Sequence, residues 1–381
     1  MKVYLDNAAT TAVDPRVVDE MVVYLRDNYG NPSSVHGFGR KTRAAIERAR
    51  KEIASHLGAA PAEIFFTSCG TESNNTIIKN CIKDYGIKHA ITSKVEHHAV
   101  GHPLHAMDET GEIEVHYVNL DEKGRVDINH LRELLSSIDG RCFVSLMHAN
   151  NEIGNMIDLN EVGAICKEHN ALFHSDTVQT IAHHRFNLSE TPIDFITGSA
   201  HKFHGPKGVG FLYVKGDVKI CPFIEGGAQE RNMRAGTENT AGIMGMACAM
   251  RIAYEDLDHE IEYVRGLKNY MAEKIQELFP DAIINGDISE NSLFTVLNVA
   301  FPPSRKTEML MFNLDMDGIA VSGGSACSSG SSVGSHVIAE LNLPDGYQPI
   351  RFSFCRFTKQ EEIDYTLEKL QEHLLVEKAV S

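Results

Sequence analysis

Between residues 62 and 215 the chain alternates short β-type runs with stretches of helical pattern. The runs fall at 64–67, 90–93, 115–120, 143–148, 172–176, 195–198 and 209–214. Such alternation predicts an α/β fold: a mostly parallel seven-stranded sheet with helices on both faces. Ligands of such sheets sit at the carboxyl ends of the strands. Thr67, Asn151, Asp176 and Lys202 all fall there.

Ahead of this region, Asp14 caps a helix with Pro15 at its first position, running to about Asn28. A second helix runs from about Arg40 to Leu57 and stops at Gly58. After an apolar helix at 239–254, a charged helix at 261–278 leads into a smaller α+β unit. Its strands are expected at 282–284, 295–301, 319–322 and 350–354, and its helices at 307–314 and 359–376. A chain of 381 residues exceeds the usual single core. The expected division is a large domain over 13–258 and a small domain built from 1–12 and 259–381.

Thirty-six basic against 52 acidic residues give a formal charge of -16, which argues against nucleic acid or an anionic membrane as partner. The first residues lack the apolar core of a signal peptide, and no apolar span reaches eighteen residues, so a soluble cytoplasmic protein is expected. Eight scattered cysteines without a C-x-x-C pair make neither a disulfide framework nor a metal ligand set. Nineteen histidines include the neighbours His97-His98 and His183-His184. Neighbours on a strand face opposite ways, no H-E-x-x-H helix exists, and no metal is expected.

Lys202 follows the run at 195–198 and precedes the turn Gly205-Pro-Lys-Gly208, with His201 and His204 beside it. A lysine in such a pocket can form a Schiff base. Twenty-six residues upstream, the run at 172–176 ends in Asp176, and an acid at a strand end can hold a protonated pyridine nitrogen. Together they read as a site for pyridoxal 5'-phosphate (PLP). The stretch Ser68-Cys-Gly-Thr-Glu-Ser-Asn-Asn75 opens a helix after a short strand, which suits an anion such as the cofactor phosphate. Residues 321–335 carry eleven Ser or Gly in fifteen positions, the composition of a mobile loop, with Cys327 in its middle.

With these motifs in order, the chain resembles the group I cysteine desulfurases of the NifS/IscS type, within the fold-type I PLP enzymes. The resemblance spans nearly the whole chain. It rests on Tyr4 to Thr11, Gly30 to His36, Thr67 to Asn75, Glu96 to Val100, His148 to Gly154, Asp176 to Gln179, Ser199 to Lys202, Arg234 to Thr237, Ser325 to Cys327 and Arg351 to Thr358. It implies removal of sulfur from L-cysteine to give L-alanine and a persulfide on Cys327, which carries the sulfur to an acceptor. Lys202 is implied as the Schiff-base lysine and proton carrier, Asp176 as partner of the pyridinium, and His97 as the ring-stacking proton-transfer residue.

Gln179 and Asn151 are implied to approach the phenolic oxygen, and Asn151 and Arg351 to hold the substrate carboxylate. Gly70, Thr71, Ser199 and His201 are implied phosphate ligands, and Thr237 reaches the phosphate of a neighbouring subunit, so a homodimer is implied. Arg356 is a second candidate for the carboxylate clamp, with a surface ion pair its expected role, and His98 is expected in a structural role. The acceptor implied by the resemblance is an iron-sulfur scaffold or a tRNA-thiolation protein. Two departures stand out: Cys69 occupies a place expected to be glycine or another small residue, and the chain ends at Ser381 without the longer tail that docks such a scaffold in relatives.

Two other readings remain open at this point. One is a different PLP lyase or an aminotransferase of the same fold, against which the Cys327 loop argues, since a transaminase needs no mobile thiol. The other is a non-catalytic scaffold, which has no need of Lys202, Asp176, His97 and Cys327 together.

Overall fold

A computed structural model describes residues 1–323 and 334–375. Its strands are β1 (Val3–Tyr4), β2 (Ile64–Thr67), β3 (His89–Thr92), β4 (Glu114–Tyr117), β5 (Cys142–Ser145), β6 (Leu172–Asp176), β7 (Phe195–Ser199), β8 (Gly210–Val214), β9 (Ile283–Asn285), β10 (Val296–Phe301), β11 (Ile319–Ala320) and β12 (Gln348–Ser353). Strands β2 to β8 form the expected seven-stranded sheet, in the order β2-β8-β7-β6-β5-β3-β4. The five strands from β4 to β7 in that order are parallel, whereas β8 runs antiparallel to both neighbours.

Successive side chains of a strand face opposite ways, and here both sets are apolar. Ile64, Phe66, Ile91, Val144, Phe173, Ile196 and Phe211 enter one core, while Phe65, Ala90, Phe143, Leu172, Phe195 and Leu212 enter the other. That is why the runs read as continuous apolar stretches rather than as alternation. Helices α1 (Pro15–Arg26) and α2 (Gly37–Leu57) supply the first core, and α3 (Gly70–Tyr85) and α4 (His98–Glu109) the second. Further along come α5 (Ile128–Ser137), α6 (Leu159–Glu168), the apolar α7 (Thr240–Glu255) and the long α8 (Leu257–Leu278).

The caps follow the sequence. Asp14 accepts from the Arg16 N–H at the start of α1, and Gly58 ends α2 at φ 63°. The charged helix starts at Leu257 rather than 261, because only Asp256 separates it from α7 and no glycine or proline marks the break.

The later part of the chain carries a second core around α8, the sheet β12-β10-β9 and the helix Gln360–Leu374. The strand expected at 319–322 is only Ile319–Ala320, and it pairs in parallel with β1. The amino terminus then runs along β12. Asn7 Nδ2 donates to the Ser353 carbonyl at 2.8 Å, and the Ala8 N–H donates to Ser353 Oγ at 2.9 Å. These bonds lay the backbone of Ala8 and Ala9 over the carboxyl ends of the main strands.

One buried ion pair fastens the segment ahead of α7. Arg50 and Glu230, both nearly inaccessible, meet through two hydrogen bonds of 2.7 and 2.8 Å. Glu230 also accepts from the Phe66 N–H at 2.8 Å, and the Arg50 guanidinium lies over the Phe66 ring. Among the described residues no helix is long and apolar enough to cross a membrane.

Candidate active site

A cavity of about 220 Å³ opens at the carboxyl ends of β6 and β7. Ten sequence-predicted residues line it: Gly70, Thr71, His97, Asn151, Asp176, Gln179, Ser199, His201, Lys202 and Arg351. Thr237 does not; it is exposed and outside this cavity. Cys327 lies outside the described residues.

The helix α3 begins at the cavity wall. Its cap residue Cys69 has an extended backbone and makes no side-chain cap, so the first-turn N–H groups are left for another acceptor. A Cβ at position 70 would stand 2.6 Å from Val178 Cγ2, which explains the glycine. Nearby, Ser199 Oγ is buried without a partner. A polar atom buried in that way costs free energy unless a ligand meets it. Cys69 also lines the cavity, as its place in the sequence suggested.

Asp176 ends β6 and is fixed from two sides. Asn74 Nδ2 donates to Oδ2 at 2.7 Å, and the Val178 N–H donates to Oδ1 at 3.0 Å. Lys202 follows β7 in a single 3-10 turn, and its Nζ donates to the carbonyls of Ala8 and, at 2.9 Å, Ala9. Gln179 Nε2 donates to the same Ala8 carbonyl at 3.0 Å.

His97 caps α4, its Nδ1 accepting from the Ala99 N–H at 3.1 Å, which leaves the other ring nitrogen as the N–H. Burial pushes its pKa below the ordinary value, with Lys202 acting in the same sense and Asp176 opposing, so the ring is neutral near pH 7. His201 Nδ1 lies 3.1 Å from Thr10 Oγ1, and burial, with the charges of Lys202 and Lys207, lowers its pKa to about 4.

Arg351 is buried. Its Nη2 donates to Asp6 at 2.8 Å and its Nη1 to the Asn151 carbonyl at 2.9 Å, while Nε is buried without a partner. The guanidinium is therefore oriented before any ligand arrives. Arg356 corrects the sequence reading: it pairs not at the surface but with the buried Asp14, at 2.9 Å, and with the buried Glu260, at 3.5 Å. It lies where the amino-terminal segment, α8 and the end of β12 meet, so its partners come from distant parts of the chain.

Sequence reasoning missed Asn74, Met147, Val178 and the carbonyls of Ala8 and Ala9. Asn74 left one usable signal, a buried amide on the helix that begins with the anion motif.

The sequence pattern of the class-V aminotransferase family matches residues 3–366. The chain is 44% identical over 375 residues to a cysteine desulfurase IscS of Dictyoglomus turgidum, covering 97% of this chain and 94% of that one. The chain belongs to the class-V aminotransferase family, among its IscS/NifS-type cysteine desulfurases. Enzymes of this family are PLP-dependent. A solved NifS-like protein shares 39% identity at a TM-score of 0.90, covering 98% of this chain and 99% of its own. A further structure, SspA in complex with cysteine, shares 29% identity at a TM-score of 0.81, over 94% of this chain and all of that one. The fold-type I PLP architecture expected from the sequence is thus established. The cofactor fits the cavity through the uncapped start of α3, the unpartnered Ser199 Oγ and the fixed carboxylate of Asp176.

Proposed function

We propose that this cavity is where the chain takes sulfur from L-cysteine, with Cys327 receiving it as a persulfide. The protein is a PLP-dependent cysteine desulfurase, releasing L-alanine. The observation that carries the assignment of roles is the convergence of Lys202, Asp176, His97 and the start of α3 on one cavity.

When bound, PLP would supply an electron sink for negative charge developing at the substrate Cα. Gly70, Thr71, Ser199 and His201 would hold its phosphate, and Asp176 would keep the proton on the ring nitrogen. Lys202 carries the proton to and from Cα, its position set by the Ala8 and Ala9 carbonyls. His97, neutral and oriented by its bond from Ala99, would lie against the ring and serve as the second proton carrier. Arg351 and Asn151 hold the substrate carboxylate, and Gln179 addresses the phenolic oxygen.

Two chains act together, Thr237 completing the phosphate site of the partner subunit. In domain terms, residues 13–258 bind the cofactor while 1–12 and 259–381 bring Arg351 and the loop 321–335. The enzyme works in the cytoplasm, and its acceptor is an iron-sulfur scaffold or a tRNA-thiolation protein. Purified protein incubated with L-cysteine and a reductant tests the activity: equal alanine and sulfide support it. Pyruvate or keto-acid formation with amino transfer overturns it in favour of a transaminase, and absence of any product leaves only a scaffold.

A further inference from the structure

On the outer strands of the main sheet, away from the cavity, two histidines and a glutamate face one another. His89 opens β3 and stands in register with Glu114, the first residue of β4. His116 is two residues further along β4 and therefore on the same face as Glu114. The result is a cluster whose donor atoms all lie within 4.8 Å of one another. His89 Nδ1 is 3.1 Å from His116 Nε2, Glu114 Oε2 is 3.5 Å from His89 Nδ1, and Glu114 Oε1 is 4.0 Å from His116 Nε2.

We infer that His89, Glu114 and His116 form a binding site for a divalent transition metal of the zinc class. Bonds of about 2.0–2.2 Å in a tetrahedral arrangement separate donor atoms by about 3.3 Å, and the three observed separations bracket that distance. Two imidazoles and one carboxylate select zinc, cobalt or nickel over magnesium or calcium, which prefer all-oxygen shells. Both histidines are partly sheltered, which fixes their rings. Glu114 is 67% exposed at the side chain and needs only a small rotation to bring one oxygen to the ion. Its exposure also leaves a solvent side for water as the fourth ligand.

Without metal, one ring nitrogen donates its proton to the other across the 3.1 Å contact. With metal, both present lone pairs, so one ring changes tautomer. The site lies at the amino ends of β3 and β4, opposite the catalytic ends of the strands. A metal there clips the edge strand β4 to its neighbour rather than entering the reaction. The sequence concealed the cluster because His89 and His116 are 27 residues apart.

The test is calorimetric titration of the chelator-treated holoenzyme with zinc chloride, alongside thermal unfolding. Cysteine thiols also take zinc, so the informative quantity is the difference between variants. The wild-type protein is expected to bind one more zinc per chain than His89→Ala or His116→Ala, and zinc should raise its unfolding midpoint but not theirs. Glu114→Gln, which leaves both strands intact, should weaken that zinc at least about tenfold. Magnesium should give no heat at this site. Identical zinc isotherms for wild type and the His89→Ala/His116→Ala double variant, with the metal-free midpoints showing both folded, would reduce the cluster to a histidine pair sharing a hydrogen bond. Unchanged binding by Glu114→Gln would overturn the three-ligand assignment.

Discussion

Asn74 Nδ2 donates a 2.7 Å hydrogen bond to Asp176 Oδ2, joining the helix that starts at the cavity wall to the strand that ends there. One side chain thereby ties the proposed phosphate site to the carboxylate proposed to hold the ring nitrogen. A hydrogen bond to a charged group contributes about 1.5–3 kcal/mol. Asn74→Ala is expected to lower PLP affinity or kcat by roughly ten- to a hundredfold. Cofactor titration by absorbance and steady-state alanine formation measure both. Wild-type values for both would show that Asp176 is held by its backbone bond to Val178 alone.

The Arg50 and Glu230 pair predicts a sharp asymmetry between single and double variants. Glu230→Ala leaves the buried Arg50 only the half-exposed Glu47, at 3.2 Å, as a charged partner, and breaking a buried pair in this way costs about 3–5 kcal/mol. The double variant Arg50→Met/Glu230→Leu should unfold at a higher denaturant concentration than Glu230→Ala. A double variant no more stable than Glu230→Ala would show that Glu47 and the backbone satisfy the Arg50 charge once Glu230 is gone.

Glu96 gives the stability of the fold a pH signature. Burial raises its pKa from 4.5 to about 8, with hydrogen bonds from the Met147 N–H and Ser93 opposing and the Asp176 charge adding to the rise. A carboxyl whose folded pKa lies above its unfolded value contributes stability that is complete below the unfolded pKa. That contribution is lost as pH climbs from about 4.5 towards 8. Glu96→Gln should therefore gain stability relative to wild type as pH rises through this window. Denaturant midpoints at pH 5 and pH 8 decide it; parallel behaviour of the two proteins would show that Glu96 ionises normally.

Much of this architecture is written locally. The strand runs are apolar on both faces, so their positions can be read to within a few residues, and the Asp14 cap and Gly58 stop are single-residue signals. Lys202 and Asp176 are legible because the first follows such a run and the second ends one. What stays hidden is whatever depends on closing long loops. The Lys202 contacts to Ala8 and Ala9 span more than 190 residues, and Arg50 meets Glu230 across 180. The pairing of β1 with β11 involves two residues on each side, too few to show any period. Arg356 looked like a surface residue because neither Asp14 nor Glu260 is near it in sequence.

The proposed shared site predicts complementation between damaged subunits. Lys202→Ala removes the proposed proton carrier from one cavity, and Thr237→Ala removes the group proposed to reach the partner's phosphate. Refolded mixtures of the two inactive or weakened variants should recover activity, because a heterodimer contains one cavity with both residues intact. Mixtures no more active than the separate variants, with heterodimers verified by native mass spectrometry, would mean that Thr237 serves its own chain or none.

Transfer of sulfur from cysteine to Cys327 is read by mass spectrometry of the proteolysed enzyme after brief exposure to L-cysteine. One additional sulfur is expected on the peptide containing Cys327. Cys327→Ala is expected to bind PLP and cysteine still, while sulfide formation falls by at least about a thousandfold, some 4 kcal/mol of barrier. Additional sulfur on the Cys69 or Cys355 peptide instead, or near-normal alanine and sulfide from Cys327→Ala, would contradict that transfer.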